Sequence, residues 1–60
     1  MKRNQLIKHL IAHGAALLRE GSRHSIYQRG QRKTQIPRHI EIVDDLARKI
    51  CKDLDIPFVR

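Results

Sequence analysis

The apolar residues of this chain change their spacing twice, and that change limits the fold more than any other feature. Leu6, Ile7, Leu10 and Ile11 recur three and four apart, which predicts an amphipathic helix over residues 4–13. Asn4 can cap its start and Gly14 can supply a left-handed stop. The period then drops to two. A short apolar run over 15–19 suits a first strand, and Glu20-Gly21 can turn the chain. Residues 23–28 alternate, with His24, Ile26 and Gln28 on one side and Arg23, Ser25 and Tyr27 on the other. Arg29-Gly30 marks a second turn, and 33–36 alternates again, placing Thr34 and Ile36 on one face. Pro37 ends that strand because it has no N–H for a ladder.

After a loop over 38–42 the helical period returns. Val43, Leu46, Ala47, Ile50 and Leu54 share a stripe on a helix over 43–54, while Arg48, Lys49 and Lys52 lie away from it. Asp44 and Asp45 in its first turn and Lys52 near its last suit the helix dipole. Pro57 closes the element, and 58–60 form a short tail. The order is α-β-β-β-α, an α+β fold in which two helices cover one face of a three-stranded antiparallel sheet. The other face is left open and polar. Double-stranded RNA-binding domains share this order, which by itself assigns no function. Residues 1–60 are expected to form a single domain.

Charge narrows the function. There are 13 Lys and Arg against 6 Asp and Glu, a net charge of +7 on 60 residues. A surplus this dense sets up a strong positive field and points to nucleic acid, an acidic membrane surface or an acidic protein partner. The apolar content is too high for a disordered chain. The start of the sequence lacks the apolar core of a signal peptide, and no segment is long enough to span a bilayer. Cys51 is the lone cysteine, so no internal disulfide forms, and a reducing cytoplasmic setting is expected. A chain this short is marginal alone, which favours a tightly bound partner.

Gly21 through Tyr27, Ile36 through His39, Leu46 through Leu54 and Leu6 through Leu10, taken together, resemble the HicA toxin family. Gly21-Ser22-Arg23-His24-Ser25-Ile26-Tyr27 is similar to that family's glycine-x-x-histidine entry into the second strand. Ile36-Pro37-Arg38-His39 is similar to its apolar-Pro-x-His exit from the third. Residues 46–54, Leu46 through Leu54, and the Leu6-Ile7-Lys8-His9-Leu10 run also fit, in order and at the right distances. Asp55 stands where that family usually has a glycine after the second helix.

The resemblance implies a toxin of a type II toxin–antitoxin system. It implies a metal-independent mRNA interferase, without a cofactor, inhibited by a HicB-like antitoxin, and it makes His24 the catalytic residue. The chemistry is reasonable. RNA carries its own nucleophile, the ribose 2′-OH, and an imidazole that titrates near neutrality can take its proton. Such help is worth about 10² to 10⁴ in rate. By spacing alone, His24 reads first as a side chain that only hydrogen-bonds locally, and it is the resemblance that reverses that order.

His39 is an auxiliary candidate, as general acid, as phosphate contact or as a solvated loop side chain. Arg23, Lys33 and Arg38 are expected to bind the RNA backbone, which positions the strand without reading its sequence. His9 and His13 stand four apart, a chelating spacing, but without an intervening glutamate or a third ligand they are expected to be solvated. Ser22 has no acidic orienting residue at a suitable spacing, so a nucleophilic serine is not expected. Cys51 reads as a small packing residue. The alternative function is a non-enzymatic RNA-binding module of double-stranded-RNA-binding type. Asp44 and Asp45, at the start of the second helix where such a module needs basic residues, weigh against it.

Overall fold

The computed structural model describes residues 1–58; the last two residues of the expected tail lie outside that part. Five elements follow in the expected order: α1 (Arg3–Ala12), β1 (Ala16–Glu20), β2 (His24–Arg29), β3 (Arg32–Pro37) and α2 (Asp44–Asp53). The strands form an antiparallel meander with β2 in the middle. Ser25 and Tyr27 of β2 and Thr34 and Ile36 of β3 are buried beneath the helices. They meet Leu6 and Leu10 of α1, Ala47, Ile50 and Cys51 of α2, and Ile42, Leu54 and Ile56 from the connecting segments. Fully burying a side chain of leucine or isoleucine size contributes about 1.5–3 kcal/mol, so these few residues hold the fold.

Local chemistry accounts for where the elements begin and end. α1 starts at Arg3, without the side-chain cap expected from Asn4. The Arg3 N–H donates instead to the Ile40 carbonyl at 2.8 Å, within a patch where Lys2 pairs with Glu41. A backbone acceptor thus does the work of a cap, and the same contact ties the loop after β3 to α1. Gly14 and Gly30 both take positive φ, at 93° and 62°. Gly30 is the first residue of a two-residue turn between the paired Arg29 and Arg32, the arrangement of a type II′ hairpin.

Arg29 faces the helices and gathers their ends. Its Nε donates to the His13 carbonyl at 2.7 Å and its Nη1 to the Leu54 carbonyl at 3.2 Å. One guanidinium therefore satisfies orphan carbonyls beyond both helix C-termini. α2 ends on Asp55 at φ 57°, a left-handed position held here by a non-glycine residue.

Three further details depart from the sequence reading. β3 includes Pro37, which pairs with His24 at the end of the ladder, where a missing N–H costs little. Ile11 and Val43, read as stripe residues, are exposed, because each lies at a helix end beyond the reach of the sheet. The apolar run of β1 is exposed along its whole length. β1 is an edge strand, and its pairing with β2 slips between Leu17 and Arg19. That bulge turns the strand so that Leu18 and Arg19 both line the open face.

A histidine at the junction of two basic grooves

The β1–β2 turn brings His24 to the surface, and Gly21 explains its geometry. The Gly21 N–H donates to the His24 carbonyl at 2.8 Å, closing the turn over Ser22 and Arg23. A Cβ at position 21 would stand 3.1 Å from that same carbonyl oxygen. The glycine-x-x-histidine spacing is thus a close backbone approach that a side chain would crowd.

His24 is exposed and lines two grooves. One lies on the open sheet face with Arg19, Gly21, Ser22, Arg23, Ile26 and Gln35. The other runs along the free edge of β3 against α2, a trough of about 520 Å³ that also holds Lys33, His39 and Lys49. Leu46 and Ile50 form part of its floor, and Asp53 accepts hydrogen bonds from Thr34 Oγ1 at 3.1 Å and Lys49 Nζ at 3.0 Å. The Asp53 carboxylate thereby draws the Lys49 ammonium toward the β3 side of the trough.

Each expected site residue has a definite place. His39 shares the edge groove with His24. Lys33 borders both the edge groove and the open face. Arg23 lies in the turn rather than on β2, so it shares the open-face groove with His24 instead of projecting away from it. Arg38 is half exposed, but one of its nitrogens is committed. Nη2 donates to the Gly21 carbonyl and lies 3.5 Å from Glu20 Oε1.

One cation of the grooves, Lys49, escaped the sequence reading, and a second, Arg19, was expected only as one of the cations around the meander. Lys49 sits three and four residues from Leu46 and Asp53, on the flank of the α2 stripe, and that spacing was its only signal. Arg19 faces His24's groove only because of the β1 bulge, which nothing in the alternation announces.

His13 is exposed and His9 partly so, as expected of solvated side chains, though both rings have partners. Their rings stand 4.5 Å apart, His9 Nε2 donates to the Pro57 carbonyl at 2.6 Å, and His13 Nδ1 donates to the His9 carbonyl at 3.0 Å. Among the described residues no group of three or more His, Cys, Asp or Glu side chains gathers in a metal-binding arrangement. Burial pushes the Cys51 thiol above its ordinary pKa, in keeping with a packing role. No helix among the described residues is long and apolar enough to cross a membrane.

The fold and the site together define a small α+β domain that presents an exposed histidine among cations. The family model described as HicA toxin of bacterial toxin–antitoxin matches residues 3–56, and the chain belongs to that family. It is thus a toxin of a toxin–antitoxin system, whose partner is an antitoxin. Neither a curated protein nor a solved structure matches the chain.

Proposed function

We propose that this toxin is a metal-independent mRNA interferase of a type II system, with His24 as general base. The observation that carries the reading is the exposed His24 at the junction of two grooves lined by Arg19, Arg23, Lys33 and Lys49. A ribose phosphate lying across that junction meets a proton acceptor and cations within one span. His24 takes the 2′-OH proton, the 2′ oxygen forms a bond to phosphorus, and the bond from phosphorus to the 5′ oxygen breaks. The leaving oxygen takes up a proton, and the products are a 2′,3′-cyclic phosphate and a 5′-OH.

Arg23, Lys33 and the free nitrogens of Arg38 hold the flanking phosphates, joined by Lys49, and steady the charge that builds on the phosphoryl oxygens. His39, in the same groove, supplies the proton for the 5′ oxygen or a contact to phosphate. An acid gives a bell-shaped dependence of kcat/KM on pH that loses one limb in His39→Ala, whereas a phosphate contact leaves the shape unchanged. On this reading the toxin acts on mRNA in the cytoplasm, and a HicB-like antitoxin inhibits it by covering His24.

The test is purified chain incubated with RNA in the presence of a chelator, wild type beside His24→Ala. Wild type cuts the RNA and leaves cyclic phosphate ends. The variant loses about 10²-fold or more in rate, folds normally and still binds antitoxin. Equal cleavage by the variant refutes the reading. Binding without cutting by the wild type leaves a basic RNA-binding module in its place.

A further inference from the structure

We infer that a buried polar hub at Ser25 fixes the position of His24, with Arg3, Glu20 and Arg38 as its positioning residues. This rests on the role given to His24 above. Ser25 follows His24 on β2 and is fully buried. Its Oγ accepts from Arg3 Nη2 at 2.9 Å and donates to the Glu20 carboxylate. The Nε of the same Arg3 donates to the carbonyl of Pro37 at 2.9 Å, and Pro37 is the cross-strand partner of His24. On the far side, the Glu20 oxygen that meets Ser25 also faces Arg38, and Arg38 binds the carbonyl of Gly21, the residue that closes the turn.

The chain Arg3–Ser25–Glu20–Arg38 therefore grips the backbone before His24, after it and across from it. It links the start of α1, the end of β1, the start of β2 and the segment leaving β3. No bond in it reaches the imidazole, so the network fixes the backbone that carries the ring and not the ring itself.

Stability alone is a poor reason for such a hub. Burying the Ser25 hydroxyl and part of Arg3 offsets much of what their hydrogen bonds return, and an apolar residue at position 25 would pack at less cost. A fully satisfied network instead selects one arrangement of the backbone. No polar side-chain nitrogen or oxygen buried among the described residues lacks a partner, so Ser25, the fully buried member, meets that condition. A general base needs such placement, because misplacing a reacting group by about 1 Å can cost about 10² in rate.

The experiment compares the full chain carrying Ser25→Ala or Glu20→Gln with wild type and with Leu10→Val, a core change on α1 that lies outside the hub. Initial rates on an RNA oligonucleotide are read at a temperature where all four are folded, and hydrogen exchange at the Gly21 amide is read by NMR. Ser25→Ala lowers kcat by roughly 10- to 100-fold with KM within about twofold of wild type. Glu20→Gln, which can still accept from the Ser25 hydroxyl, has a smaller effect in the same direction. Gly21 exchange quickens in both, while Leu10→Val melts earlier yet keeps its kcat and its slow Gly21 amide.

An unchanged kcat in both hub variants, or a loss confined to KM, overturns the inference. Should Ser25→Ala not fold, Glu20→Gln decides the matter, because that carboxylate is half exposed and its removal leaves the core intact. A wild-type chain that leaves RNA whole refutes the ribonuclease reading, and this role with it. The exchange rates in the same samples still show whether the hub holds the turn, so the two failures are told apart.

Discussion

Gly21 and Gly30 carry opposite consequences when replaced by alanine, and the pair makes a stringent test. At Gly30 the backbone takes φ 62° and an added Cβ meets nothing within 4 Å. The whole cost of Gly30→Ala is conformational, about 1–3 kcal/mol for an L-residue held at positive φ. In a domain this small each kcal/mol lowers Tm by about 4–8 °C. The turn lies at the opposite end of β2 from His24, so cleavage by the folded fraction is unchanged.

At Gly21 the backbone is ordinary but the Cβ would stand 3.1 Å from the His24 carbonyl oxygen, a few tenths of an ångström too close. The carbonyl has to move by about that much, and the hydrogen bond it accepts weakens by some part of the roughly 0.5–1.5 kcal/mol such a bond contributes. Alanine returns about 0.4–1 kcal/mol by restricting the unfolded chain, so Gly21→Ala leaves stability nearly unchanged. Activity suffers instead. If about 1 Å of displacement costs about 10², a third of that costs roughly fourfold in kcat. Thermal melts and initial rates on one RNA oligonucleotide measure both effects. A Gly21→Ala protein that melts well below Gly30→Ala while cutting RNA at the wild-type rate would refute the reasoning.

Two further outcomes follow from the grooves and the core. Lys33→Gln and Lys49→Gln should each raise KM and flatten the dependence of log binding constant on log salt by about 0.7, and by about 1.4 together. An unchanged slope places the strand elsewhere. Cys51 should resist iodoacetamide in the native chain at mildly alkaline pH and react quickly in urea, since burial disfavours the thiolate. The folded-state pKa lies above the unfolded one, so the chain keeps full stability below the free-thiol range and loses some as pH rises through the folded value. Cys51→Ala should remove that alkaline loss, and equal melting of both proteins at high pH argues against the assignment.

The fold was legible because its signal is periodic. Leu6 with Leu10, Ala47 with Ile50 and Leu54, and the alternation Ser25, Tyr27, Thr34, Ile36 each name one face, and all are buried together. The exposed place of His24 at the start of β2 was legible from the glycine turn before it, whereas its proposed role came from family resemblance. What escaped depends on contacts between residues far apart in the chain. The Arg3 side chain reaches Ser25 and Pro37, 22 and 34 positions away, and no local pattern encodes either bond. The slip in β1 likewise moved Arg19 into the site by adding one residue to a strand. Asp55 was legible as an unusual residue at a glycine position, and the backbone there did take the left-handed turn despite it.

Because His24 stands at a corner of the sheet, it can be approached along two separate surfaces. A blocker seated only against α2 leaves the ring reachable across the open strands, and one lying only on the strands leaves the trough unobstructed. On the role proposed for His24, silencing such a toxin calls for an embrace that bends around the corner. This sets a minimum size and a curved shape for whatever inhibits it.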